Sequence, residues 1–302
     1  MKHLPWILFF SLQAHALPSF MQGPESPQIQ DYQVTQAQCS GLRQDWILIR
    51  QFKFHGVGMG LAVNPQSLAT NILPLRGLHC NALSSHFSQT NYGRLLTLAR
   101  GRDFEQDNAG VTRSPLNPHV FLTTDLCPSS KVFEKDFYEW VRDHKTPIAI
   151  SISGLWIQEH PEELKVLKEL PSAGAPVTWV NHSLTHPYDR ALPDGKNFFL
   201  LLGVDVREEV LGNEQTMIEN GLTPSVFFRF PGLISSRAMA DQILAWNLIP
   251  LGADAWLALD QKARPGSIIL VHGNGNEPRG IHLFFQDLPD FLKMGFDSLS
   301  RL

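Results

Sequence analysis

Two histidines stand four residues apart in the stretch WVNHSLTHP: His182 and His186. Neutral imidazole is the commonest side-chain ligand for zinc-like cations, so a close pair is a candidate metal site wherever its surroundings agree. On a helix the pair would share one face. Pro187, directly behind His186, disfavours the right-handed helical region for that residue and makes a helix the wrong frame. With 12 histidines in the chain, a pair at this spacing also arises by chance. The surroundings therefore carry the decision.

Four further side chains have the types that hydrolysis needs. Asp125 is a candidate base and His272 a candidate acid. Arg229 is a cation that could hold a carboxylate, and Asp254 a second carboxylate that could fix an imidazole tautomer. Each closes a short apolar run: HVFLTTDL, PSVFFRF, LIPLGAD and GSIILVHG, while the histidine pair follows PVTWVN. Separately, Arg229 could cap a strand, Pro231 and Gly232 form an ordinary turn, and Asp254 cap the start of AWLALD. Those readings would have to hold together to dismiss the set.

The elements that must position these groups follow from the same runs. From about Pro115 onward, β-type runs alternate with amphipathic segments such as KVFEKDFYEWVRDH, EELKVLKEL, DVREEVLGNEQTMIEN and IHLFFQDLPDFLKM. Six such units predict parallel strands with crossover helices, in an α/β barrel or a doubly wound sheet. The strands are apolar nearly throughout, as expected when both faces are covered. In either architecture catalytic groups collect at the carboxyl ends of the strands. Asp125, His182, His186, Arg229, Asp254 and His272 then share one rim.

In this order and at these separations, FLTTDLCPSS, NHSLTHP, FFRFPG, GADAW and IILVHG resemble the five motifs of the polysaccharide deacetylase family, carbohydrate esterase family 4. The resemblance covers about residues 115–302, and FLKMGFDSLSRL is similar to the family's closing helix and strand. It implies a deformed (β/α) barrel with a divalent metal, zinc above all, and a hydrolase that cleaves acetyl groups from amino sugars or sugar hydroxyls. Carried over, His182 and His186 ligate the metal, Asp125 is the base and His272 the acid. Arg229 orients Asp125, and Asp254 holds His272. The implied substrate is an acetylated polysaccharide or oligosaccharide.

The first motif departs from the family pattern. Where two adjacent aspartates are usual, the second position is Leu126, and a glycine position is Cys127. Leucine cannot ligate a metal. Strand alternation puts Asp125 and Cys127 on one side and Leu126 on the other. The third ligand is then Asp125, the Cys127 thiolate, or water alone; Asp125 is the favoured expectation. A second function follows from Leu126: a catalytically impaired protein of this fold that binds glycan or an envelope partner.

Residues 17–114 carry strand-like runs, DWILIRQFKF, MGLAVN and SLATNILPL, and read as a smaller β-rich N-terminal region ending in NAGVTRSPLNP. Residues 1–16 combine a basic start, an apolar run and the triplet Ala14, His15, Ala16, the layout of a signal peptide cleaved after Ala16. No stretch reaches membrane-spanning length. The mature protein is expected to be secreted or periplasmic. Export permits a disulfide, and Cys39 with Cys80 is the expected pair, leaving Cys127. A formal charge of −4 argues against a nucleic-acid partner. Trp156, Trp179, Tyr188 and Trp256 are candidates for sugar stacking or for packing.

Overall fold

Runs rich in β-branched and aromatic residues supply two sheets. The computed structural model describes residues 28–302 apart from 42–43, 103–107 and 115. The signal-peptide reading of residues 1–16, with its cleavage after Ala16, lies outside the described residues. The first sheet is antiparallel, with strands β1 (Ile29–Gly41), β2 (Gln44–Phe54), β3 (Val57–Val63), β4 (Thr70–Pro74) and β5 (His79–Asn81) in the order β4-β3-β2-β1-β5. His55 (φ 47°) and Gly56 (φ 77°) close the β2–β3 hairpin, both in the left-handed conformation that a tight two-residue turn requires. β1 was not expected from the sequence. It is rich in glutamine and buried only at Ile29 and Cys39, so its pairing with β2 rather than its own burial defines it.

Cys39 and Cys80 lie opposite each other on β1 and β5 and form the expected disulfide. Helix α1 (Asn91–Arg100) follows, its first turn capped by the Thr90 hydroxyl accepting from the Gly93 amide.

The second sheet has seven strands, all neighbours parallel. In chain order its elements are β6 (Phe121–Leu126), α2 (Lys135–His144), β7 (Ile148–Ile152), α3 (Gly154–Glu159), α4 (Pro161–Glu169), β8 (Val177–Asn181), α5 (Asn213–Glu219), β9 (Phe227–Phe228), α6 (Arg237–Ala245), β10 (Ile249–Pro250), β11 (Ala255–Trp256), β12 (Ile268–His272) and α7 (Pro278–Met294). The spatial order β10-β9-β8-β7-β6-β12-β11 leaves β10 and β11 as edges, a curved half-barrel and not a closed ring. AWLALD forms β11 and a single 3₁₀ turn instead of a helix that Asp254 could cap. The closing strand expected after α7 is reduced to one bridge, Val120 to Phe296, followed by a 3₁₀ turn at Leu299–Arg301.

Two hydrophobic layers cover the half-barrel. The outer one joins Leu122, Leu126, Ile150 and Val271 to the helices through Phe137, Tyr138, Leu167 and Phe284. The inner one joins Phe121, Ala149, Val180, Phe227 and Leu270 to Ile47, Ile49, Leu61 and Val63 of the antiparallel sheet and to Tyr92 and Leu96 of α1. The N-terminal region thus supplies half of the barrel's inner core. The chain joins the barrel a few residues before 115, through bridges from Val111 to Leu251 and from Arg113 to Ser267.

Candidate active site

Alternation along β6 separates neighbours in sequence. Leu126 is fully buried in the outer layer among α2 side chains. Asp125 points the other way and receives Nη1 of Arg229 at 2.7 Å. Arg229, wholly buried at the end of β9, also donates to the Thr123 hydroxyl (2.8 Å) and to the carbonyls of Leu251 (3.2 Å) and Gly252 (3.0 Å). Its guanidinium is held by four acceptors and has one orientation, so one carboxylate oxygen of Asp125 is fixed as well.

The segment after β8 turns sharply, with Ser183 at φ 70° and His186 at φ 53°. Pro187 does keep His186 out of the right-handed helical region, but the residue adopts the left-handed conformation. Such backbone costs about 1–3 kcal/mol per residue and persists where its surroundings over-determine it. Those surroundings are visible here. The Asn181 side-chain oxygen accepts from Ser183 N (3.0 Å) and Asn213 Nδ2 (2.8 Å), and Ser183 Oγ accepts from His186 N (3.1 Å). Thr185 donates its amide and its hydroxyl to the Glu209 carboxylate.

The result is two imidazoles 4.9 Å apart between centroids. Nδ1 of His182 donates to the Arg229 carbonyl at 2.9 Å, which leaves Nε2 as the free lone pair. That Nε2 lies 3.5 Å from Cys127 Sγ and 3.7 Å from Asp125 Oδ2. Nε2 of His186 is buried without a hydrogen-bond partner, an orphan that a bound cation would satisfy. Cys127, His182 and His186 form a group whose ligand atoms all lie within 4.8 Å of one another. Asp125, the favoured third member from sequence, is not in that group; its Oδ1 is taken by Arg229 while Oδ2 stays 3.7 Å from His182 Nε2.

On the opposite side, His272 closes β12. Its Nδ1 lies 2.8 Å from Glu277 Oε2, and the same oxygen accepts Nε1–H of Trp256 at 2.7 Å. Asp254, expected in that role, turns to the chain: Oδ1 accepts the Ile268 amide at 3.2 Å and Oδ2 lies 3.5 Å from Arg264 Nε. Glu277 was missed because it sits in the turn GNGNEP at the start of α7, five residues past His272, where no periodicity marks it.

Electrostatics separates the two titrating sides. Burial pushes the Asp125 carboxyl up, but Arg229, then His182 and His272, outweigh it and hold it below the ordinary value. Burial disfavours the His272 cation, yet the neighbouring Cys127 and Glu277 side chains carry it well above the ordinary histidine value. Burial likewise raises the Cys127 thiol, and the charges of His186 and His182 overcome this and bring it well below.

These groups line one open cavity of about 590 Å³ with Tyr188, Arg190, Phe198, Trp256 and Asn276. Tyr188 is 53% exposed at its rim, whereas Trp156 and Trp179 are packed in the outer core. Of the four aromatics considered for sugar stacking, only Tyr188 and Trp256 face the cavity.

No family model matches the sequence. Among solved structures, a family 4 carbohydrate esterase from Bacillus anthracis superimposes with a TM-score of 0.50 at 20% identity, over 70% of this chain and 90% of that one. A family 4 pseudoenzyme from Bacillus anthracis superimposes with a TM-score of 0.50 at 16% identity, over 82% of this chain and 84% of that one. The chain has the family 4 carbohydrate esterase fold. In this esterase fold the cavity opens at the carboxyl ends of β6, β8 and β12, the strands that carry Asp125, the histidine pair and His272.

Proposed function

We propose that the protein is a metal-dependent hydrolase that removes acetyl groups, N- or O-linked, from an exported or cell-envelope polysaccharide. The observation that carries this reading is the convergence of a carboxylate, an imidazole pair and a third imidazole on one cavity, with Arg229 against Asp125, the Arg229 carbonyl against His182 and Glu277 beside His272. A binding module has no need of a separate base and acid.

The donor set suits a zinc-like divalent ion held by His182 and His186. When bound, such an ion polarises the acetyl carbonyl and lowers the pKa of the attacking water. Asp125, kept ionised by Arg229, takes the proton from that water as its oxygen adds to the acyl carbon. The bond from that carbon to the sugar nitrogen or oxygen then breaks. His272, kept protonated and oriented by Glu277, gives its proton to the leaving atom. The products are acetate and a free amine or hydroxyl.

Export is part of the same proposal. The signal-like residues 1–16 and the Cys39–Cys80 disulfide both suit an oxidising compartment. Among the described residues no helix is long and apolar enough to cross a membrane. We place the division between the N-terminal region and the barrel near residue 114. A second reading has one specific observation behind it: Leu126 stands where the family has a carboxylate ligand, which favours a protein that binds glycan without turnover.

Two variants separate the readings. His182→Ala is expected to lose metal and acetate release together. His272→Ala is expected to keep its metal and slow turnover by about 10²- to 10⁴-fold, the usual contribution of a positioned acid. The measurement is elemental analysis beside acetate release from acetylated chito-oligosaccharides and peptidoglycan fragments. Activity that survives in His182→Ala contradicts the proposal.

A further inference from the structure

Leu126 leaves the family's third ligand position without a donor, and the structure fills it from the next residue. Resting on the metal-dependent reading, we propose that Cys127 is the third protein ligand, as a thiolate, so that the centre is His₂Cys and Asp125 is left free to act as base.

Four observations carry this. First, β6 alternation returns the chain to the inner side at Cys127, and the cysteine's own carbonyl is anchored by Nδ2–H of Asn274 at 2.7 Å. Second, Cys127 Sγ lies 3.5 Å from His182 Nε2. With zinc–sulfur and zinc–nitrogen bonds of the usual length, the sulfur–nitrogen edge of a tetrahedron is about 3.6 Å. Third, the nitrogen facing the sulfur on His182 is the one its backbone bond leaves unprotonated, and Nε2 of His186 is buried and unpartnered. Fourth, Asp125 Oδ1 is held by Arg229 Nη1 at 2.7 Å, and that guanidinium is itself fixed by the Thr123 hydroxyl and the Gly252 carbonyl.

The substitution has a chemical consequence. A thiolate is a softer donor than a carboxylate, so the site should prefer zinc, cobalt and cadmium over magnesium and manganese. Ligation also protects the sulfur. A cavity-lining thiol in a protein that carries a disulfide is exposed to oxidation unless it is bound.

The test is cobalt(II) loading of the metal-stripped full chain under non-reducing conditions. Cys39 and Cys80 are paired, so a thiolate-to-cobalt charge-transfer band in the near ultraviolet can arise only from Cys127. The expected result is that band in the wild type, at one cobalt per chain. Cys127→Ser should lose the band and bind cobalt more weakly by about 100-fold or more, as loss of one of three ligands requires. Cys127→Asp should bind cobalt without the band. If Cys127→Ser does not fold, the wild-type spectrum decides alone. One cobalt per chain with no thiolate band overturns the Cys127 assignment and leaves the metal-dependent reading standing. No cobalt or zinc bound at all overturns both.

Discussion

At the scale of single residues, the candidate site sets a polar partner beside Asp125, His182 and His272. Arg229 does this for Asp125, and its own carbonyl does it for His182. Glu277 does it for His272. Glu277→Gln should therefore lower turnover by about 10- to 100-fold, the usual cost of removing such a partner, while leaving metal content and thermal stability unchanged. Asp254→Asn should leave turnover within about threefold, since the amide oxygen can still accept from Ile268 and Asp254 does not sit at His272. Steady-state acetate release from the two variants checks both, and equal losses would restore Asp254 to the site. Asp125, His182, His186, Arg229 and His272 could be picked out from sequence because each closes an apolar run. Glu277 could not, because which carboxylate folds back onto an imidazole is settled by a turn. Cys127 was visible but ranked behind Asp125, since the sequence does not show that its sulfur lies beside both histidines.

At the scale of elements, the parallel strands were predictable and the antiparallel ones less so. Covered parallel strands are apolar along their length, and β6, β7, β8 and β12 are buried at nearly every position. β1 is largely unburied and glutamine-rich, so its strand character comes from its pairing with the apolar β2 that follows it. The carboxyl end of β12 is packed tightly against α2: a Cβ added at Gly273 would clash with the Tyr138 hydroxyl and lie 2.9 Å from Thr124 Oγ1. Gly273→Ala must displace a buried tyrosine and is expected to cost about 1–3 kcal/mol of stability, as overpacking does. Denaturant unfolding measures it, and an unchanged midpoint would show that this end of β12 has room. Because His272 is the neighbouring residue, turnover should fall with stability.

At the scale of the whole molecule, the antiparallel sheet and the half-barrel share one hydrophobic core and a buried ion pair. Arg50 of β2 reaches Glu214 of α5 through two hydrogen bonds, Nε at 2.6 Å and Nη2 at 2.8 Å, and donates to the Trp246 carbonyl. Both charges are wholly buried, and Tyr32 of β1 donates to the same carboxylate at 2.9 Å. Glu214 follows Asn213, which in turn holds the Asn181 side chain that anchors the turn at Ser183. Arg50→Met is expected to destabilise by about 3–5 kcal/mol, because it strands a buried carboxylate. Adding Glu214→Gln should recover part of that loss. Equilibrium unfolding of the single and double variants checks this, and a single variant as stable as the wild type would contradict it. The disulfide acts within the antiparallel sheet: cross-linking residues 41 apart contributes about 4 kcal/mol in the chain-entropy account.

The account stands on one claim, that acetyl hydrolysis here needs a metal at the histidine pair. The direct measurement is acetate release from acetylated chito-oligosaccharides and peptidoglycan fragments by wild-type protein as purified, after chelation, and after refilling with one equivalent of zinc. The account predicts activity that disappears on chelation and returns with zinc in proportion to occupancy. Protein that takes up one zinc per chain and releases no acetate from any of these glycans would contradict it, and would leave a glycan-binding protein on an esterase fold.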